Sequence, residues 1–349
     1  MKKLLLSFVV LPAVLATAQV GINTDTPEAT LDIRAKEDQK GDLRIEGVEE
    51  EKSTQWLLVW NEEDQKVKRT SLTDLKWDII VDKGKINYIR GKQATKADKI
   101  INKIKQCAPE NIVFDKLFGI SGKHDFVYCA TPVSVDGYNR TWLNLNLGAE
   151  YANINSPHFD PTVKKTGATI HKDENLYGSL YQWQRASDGH EFKDSPTTTQ
   201  KAKSWTNADS SAGKFIIGDS NWVENAKNAS GSELRLWQAG GVNNPCPSGY
   251  HVPTWEEWLE FLFVSKDVNK IMTQDELPNL AAAGYQYFIY GSLHDDKGSV
   301  GAYWTSSVND KGDYYVVNIF SFSSSDKHSV YNGYNQATRR SVRCIKDDN

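Results

Sequence analysis

Asn244-Pro245-Cys246-Pro247-Ser248-Gly249-Tyr250-His251-Val252-Pro253-Thr254-Trp255-Glu256-Glu257-Trp258 divides into a loop and a helix start. Pro245, Pro247, Ser248 and Gly249 make its first half a turn region. Thr254 with Glu257 three residues on forms a capping box, and Pro253 stands just ahead of the first turn. Trp255, Trp258, Leu259 and Leu262 then recur at helical spacing, which predicts one amphipathic helix. Further on, Asn279 to Ala283 reads as the end of a second helix stopped by Gly284. Strands are predicted at Tyr314 to Phe322 and at Ser341 to Ile345. From about residue 125 to 349 the chain therefore reads as one mixed α+β domain with long loops.

The composition narrows the functional classes. The chain has 349 residues, with 41 basic against 45 acidic side chains, and a net charge of −4 gives no electrostatic reason to expect a nucleic-acid partner. Eleven Trp and fifteen Tyr against two Met, spaced by Gly, Asn, Ser and Asp, describe a strand- and loop-rich globular body. Disorder, coiled coil and a polytopic membrane protein are excluded.

The N-terminus sets the compartment. Lys2 and Lys3, the apolar run Leu4 to Leu15, and Ala16-Thr17-Ala18 follow the order of a secretory signal peptide, with cleavage expected after Ala18. That run is too short for a membrane span, and no integral span is expected elsewhere. The exported protein is then secreted or held at the cell surface. No C-terminal sorting domain is expected, because the last strand runs almost to Asn349. In an oxidising compartment Cys107, Cys129, Cys246 and Cys344 read as two disulfides with three pairings open. Cys107–Cys129 and Cys246–Cys344 are favoured because each pair brackets a structural unit. No CxxC spacing supports a zinc site.

Residues 19–92 read as a small β-rich stalk or oligomerisation segment. Ala29 to Ile33 alternates like a half-buried strand, and Trp56-Leu57-Leu58-Val59-Trp60 with Gln65 to Arg69 has a hairpin pattern. Residues 93–124 form a helical connector, with Thr95 and Asp98 as a capping pair and Ile100, Ile101 and Ile104 on one face. The run Val20 to Ile33 resembles the opening of many secreted Bacteroidetes proteins. Similar openings precede fibre-like or trimeric stalks, so the resemblance implies a homotrimer.

Four segments in register carry a second resemblance. They are Tyr177-Gly178-Ser179-Leu180-Tyr181-Gln182-Trp183, the Asn244 to Trp258 stretch, Gly301-Ala302-Tyr303-Trp304-Thr305-Ser306-Ser307, and Ser341-Val342-Arg343-Cys344-Ile345-Lys346-Asp347. Together they resemble the Fibrobacter succinogenes major paralogous domain, and Val135 to Tyr138 with Trp142 to Gly148 looks like a diverged version of its start. That family is similar to the formylglycine-generating and sulfatase-modifying proteins, a variant of the C-type lectin fold. The resemblance implies a C-type-lectin-like domain over 125–349 and a Cys246–Cys344 tie. It implies binding rather than catalysis, by analogy of fold.

The residues bear on several chemistries. The formylglycine-generating oxidases use a pair of C-terminal cysteines, whereas here Cys344 stands alone beside Arg339, Arg340 and Arg343. Seven histidines show no HExxH spacing, and His251 reads as packed and hydrogen-bonded rather than as a base. Asp188-Gly189-His190-Glu191 brings acid and imidazole together without naming a nucleophile. No cofactor and no enzyme activity are expected. Calcium is a candidate at Asp295 and Asp296, with Asp209, Asp219 and Glu224 as further loop acids, although the sugar-coordinating tripeptides of calcium-dependent lectins are absent. Trp255, Trp258 and Trp304 fit a core. Tyr285, Tyr287, Tyr331, Asn332, Tyr334, Asn335 and Arg339 offer the aromatic and hydrogen-bonding mixture that a glycan or protein surface requires. The expected function is a non-enzymatic adhesin or glycan-recognition module whose partner is an extracellular polysaccharide or a surface protein. A fibre-tip assembly subunit is the alternative.

Overall fold

The computed structural model describes residues 19–27, 31–34, 55–120, 122–135, 137–165, 168–264, 277, 279–291, 297–310, 315–323, 329–333 and 335–348. The signal-peptide assignment at 1–18 lies outside them. The chain falls into two compact units, residues 1–54 and 55–349. In the first, β1 (Val20–Ile22) pairs in parallel with β2 (Leu31–Ile33), Val20 opposite Leu31 and Ile22 opposite Ile33.

The second unit begins with the hairpin foreseen from the alternation, β3 (Trp56–Asn61) and β4 (Lys66–Ser71). Residues 72–80 and 83–92 of the expected β-rich segment are instead helical: α1 (Leu72–Ile80) and α2 (Lys83–Lys92). Ser71 caps α1 by accepting from Asp74 N, and Asp82 caps α2 by accepting from Gly84 N and Lys85 N. The expected connector helix is α3 (Ala97–Ile104), but Lys96, not Thr95, is its N-cap, and no side chain caps it. Its buried Ile100, Ile101 and Ile104 join Ile86 and Ile89 of α2 in a cluster with Phe114, Phe118 and Val127. The helices therefore share a core with the body, so the expected boundaries at 92 and 124 do not separate compact units.

Beyond α3 the strands are β5 (Ile112–Phe114), β6 (Val127–Val135), β7 (Tyr138–Leu143), β8 (Leu180–Gln182), β9 (Thr197–Thr198), β10 (Phe215–Ile216) and β11 (Tyr250–His251). Then come α4 (Trp255–Val264), β12 (Val300–Asp310), β13 (Tyr315–Ser323), β14 (Ser329–Gly333), β15 (Arg339–Ser341) and β16 (Ile345–Lys346). They form two five-stranded sheets, β11-β16-β7-β6-β5 and β14-β13-β12-β15-β8, plus the parallel pair β9–β10. Both large sheets are antiparallel except where β12 meets β15, Tyr303 opposite Ser341. The architecture is mixed α+β, as the sequence pattern indicated.

The capping box forms as read: Thr254 N donates to Glu257 Oε2 at 2.8 Å and Glu257 N donates to Thr254 Oγ1 at 3.1 Å. The helix buries Trp258 and Phe261 against the sheets, and Trp258 stacks on Phe320 with ring centroids 4.1 Å apart. Trp304 is buried and its indole N–H donates to Tyr181 O, while Trp255 is half-buried. Asn279 to Ala283 is not helical. Asn279 takes a left-handed φ of 61°, and its side chain bridges Asn144 O, Val163 O and Lys165 N. Those amide bonds hold an irregular chain in the core where the glycine stop had implied a helix end.

Cys107–Cys129 and Cys246–Cys344 are both disulfide-bonded, the favoured pairing, and no free cysteine remains. The first ties the end of the α3 region to β6. The second fastens the loop before β11 to the segment between β15 and β16. Among the described residues no helix is long and apolar enough to cross a membrane.

Candidate functional site

Two glycine turns build a surface cleft. Ser179 N donates to Leu147 O at 2.8 Å and Asn146 Nδ2 donates to Tyr177 O, so the two backbones run in close contact. A Cβ at Gly148 (φ 75°) would lie 2.1 Å from Ser179 Oγ, and one at Gly178 (φ 73°) would lie 2.3 Å from Leu147 O. Only glycine satisfies both the approach and the left-handed backbone. Gly148 N also donates to the hydroxyl of buried Tyr128 at 3.0 Å. The resulting cleft measures about 400 Å³. Phe126, Phe192 and Ser179 line it from inside, with exposed Lys123, Glu150, Glu174, Lys193 and Asp194 and the half-buried amide of Asn153 around them.

A buried charge network supports the Phe126–Phe192 side. The His124 ring lies 5.9 Å from Phe126 and 5.2 Å from Phe192 by centroids. Its Nε2 meets Glu191 Oε1 at 2.9 Å and its Nδ1 meets Asp115 Oδ1 at 3.5 Å. Burial opposes the imidazolium, but the bonds to Asp115 and Glu191 outweigh it and push His124 up to about 9. Burial equally opposes the Glu191 carboxylate, yet hydrogen bonds from His124 and His190 hold it well below the usual carboxylate range. Gln182 N donates to His190 Nε2 at 3.1 Å, so that nitrogen carries no proton and Nδ1–H points at Asp188 Oδ1, 2.8 Å away. Arg185 clamps Asp188 through Nε and Nη2 at 2.9 and 2.7 Å.

Asp188, His190 and Glu191 bring ligand-type atoms within 4.8 Å of one another, in cation-binding proximity. Their lone pairs are already engaged by Arg185, His124 and backbone N–H groups, so the donor set is that of a structural ion network rather than a metal cage. Ser195 does not serve His190 as a nucleophile: its Oγ donates to His190 O and accepts from Arg339 Nη1. His251 is packed as read, with Nδ1 2.7 Å from Asp347 and Nε2 2.9 Å from Glu257. Burial opposes its charge, but both carboxylates outweigh it and raise its pKa. Cys344 carries no thiol, being bonded to Cys246.

Of the residues singled out for ligand contact, Tyr285 and Tyr287 flank Gln286, whose backbone pairs with Arg339, whereas Tyr331 and Asn332 lie on the edge strand β14. Tyr285 lies under the Arg340 guanidinium, 4.8 Å from ring centroid to cation, and Tyr287 packs on Phe288 and the main core. Arg339 is buried. Its terminal nitrogens donate to His190 O, Phe192 O and Ser195 Oγ, so it braces the cleft wall from behind. Asn335 is half-buried at a turn whose Thr338 N it accepts. Tyr331 and Asn332 sit on β14 opposite Ile319 and Asn318. Tyr334, Asp295 and Asp296 lie outside the described residues, and Asp219 is paired with Lys201 at 2.6 Å. Sequence reasoning missed the cleft's charged residues, because solvated Lys, Glu and Asp look alike in any loop. The usable signal was Gly148 and Gly178, each inside a segment already singled out.

No family model, no curated protein and no solved structure matches the chain.

Proposed function

We propose that this chain is a secreted or cell-surface binding protein whose C-terminal region is a C-type-lectin-like domain of the Fibrobacter succinogenes major paralogous type. It acts as a non-enzymatic adhesin or glycan-recognition module. The observation that carries this reading is the cleft at Gly148 and Gly178, where phenylalanine rings adjoin three carboxylates, two ammonium groups and an amide. A saccharide needs an apolar face for its C–H groups and a dense set of polar groups for its hydroxyls, and this lining offers both. The two disulfides and the signal-peptide pattern fit an exported chain.

Binding of the mature protein to a broad polysaccharide panel, with calcium and with chelator, tests the reading. Saturable binding that falls on Glu174→Ala with Asp194→Ala is the expected result. Silence across the panel refutes it and favours the second reading, an assembly subunit meeting another protein.

A further inference from the structure

The β3–β4 hairpin turns an apolar face to solvent. Trp56, Leu58 and Trp60 alternate with Leu57 and Val59, so the three share one face, and they are 51%, 79% and 60% exposed. Across the ladder Trp60 faces Val67, Leu58 faces Arg69 and Trp56 faces Ser71, and Val67 is also exposed. A two-stranded ladder is marginal alone in water, so such a stripe left wet works against the fold that bears it.

Its size and charge indicate the occupant. Trp56 and Trp60, each about half exposed out of roughly 200 Å², contribute about 200 Å², and Leu58 and Val67 bring the face to roughly 400 Å², in the range of a monomer's largest and often functional patch. A standard interface takes about 800 Å² from each partner, so the stripe supplies the apolar centre and polar groups must supply the rim. Those groups are arranged with opposite signs at opposite ends. Glu62 and Glu63 are exposed at the turn, where Lys66 alternates with Val67 and so belongs to the opposite face, while Arg69 lies toward the other end, its guanidinium 4.6 Å from the Trp56 ring centroid. Asp64 is already tied to Lys68 at 2.5 Å. A second copy laid antiparallel on the same face places its acidic turn over Arg69 and its Arg69 over the acidic turn.

We propose that this face is a self-association surface on which two copies of the chain pair about a two-fold axis, with Leu58 and Trp60 at the centre and Glu62, Glu63 and Arg69 at the rim. The pairing is independent of the glycan reading and would give one particle two clefts, which raises avidity for a repetitive surface.

Sedimentation velocity of the full mature chain at micromolar concentration tests this. A two-copy species is expected, converted to one copy by Leu58→Glu or Trp60→Glu with an unchanged circular dichroism spectrum and melting temperature. Arg69→Glu should weaken pairing by about tenfold or more, and adding Glu62→Arg and Glu63→Arg to the same chain should recover it. A single copy at every concentration, a three-copy species, or association untouched by Leu58→Glu would each overturn the proposal.

Discussion

Raising the pH through the range 6.5 to 9 should discharge the buried His124 and weaken the wall behind the cleft. The folded state holds that proton up to about pH 9 against 6.5 for a free imidazole. At about 1.4 kcal/mol per unit, the bond to Asp115 and Glu191 contributes about 3 kcal/mol. Because the folded value is raised, this stability is fully present below pH 6.5 and is lost as pH rises through 9. Glu191 works in the opposite direction: its lowered value contributes stability above its ordinary 4.5 that is lost in acid. The pair is therefore strongest between pH 4.5 and 6.5. His251 is also raised and adds a loss of the same sign, so the His124 part must be isolated by difference. Urea unfolding of wild type and His124→Gln, disulfides intact, provides it. Below pH 6.5 the variant should be less stable by roughly 3–5 kcal/mol, the usual cost of breaking a buried pair. Above pH 9 the gap should narrow by about 3 kcal/mol. A gap that stays constant across this range would refute the assignment of a buried imidazolium at His124.

Three further outcomes follow from named contacts. Thr254→Ala removes the reciprocal cap of α4 and should cost about 1 kcal/mol in urea unfolding, with no change in the far-UV spectrum at low denaturant. Cys246→Ala with Cys344→Ala opens a link across 98 residues, and Cys107→Ala with Cys129→Ala one across 22. Chain entropy sets these losses near 5 and 3 kcal/mol, so the first pair should melt lower, and a reversed order would contradict the argument. Gly178→Ala adds a clash with Leu147 O to its backbone strain, whereas Gly137 (φ 90°) has open space around its Cβ position. Gly137→Ala should thus cost only the left-handed penalty of about 1–2 kcal/mol, and thermal melts should place Gly178→Ala clearly below it.

Legibility in the sequence followed how local the cause was. The cap of α4 is written within Thr254 and Glu257, and the β3–β4 hairpin in the alternation of Trp56 to Trp60, so both could be read directly. Helices α1 and α2 were equally local, through Ser71 with Asp74 and through Asp82, but lysine-rich surfaces and two glycines in α2 masked the helical period. Asn279 failed for the opposite reason. Its conformation is set by Asn144 and Val163, more than a hundred residues earlier, and no window of sequence carries that contact. Arg339 looked like a ligand residue because an arginine among tyrosines and asparagines suits a binding loop. Its true partners are the carbonyls of His190 and Phe192, which only folding brings near. The cleft was half legible, since its glycines stand out while its charged groups do not.

The cleft itself is tested most directly by hydrogen–deuterium exchange on the mature protein with and without a saturating saccharide drawn from the panel. Protection is expected at the segments that line the cleft, residues 123–126, 146–153, 174–179 and 192–194, and not elsewhere. Protection at Tyr285 to Tyr290 with none at the Gly148 and Gly178 turns would contradict this account.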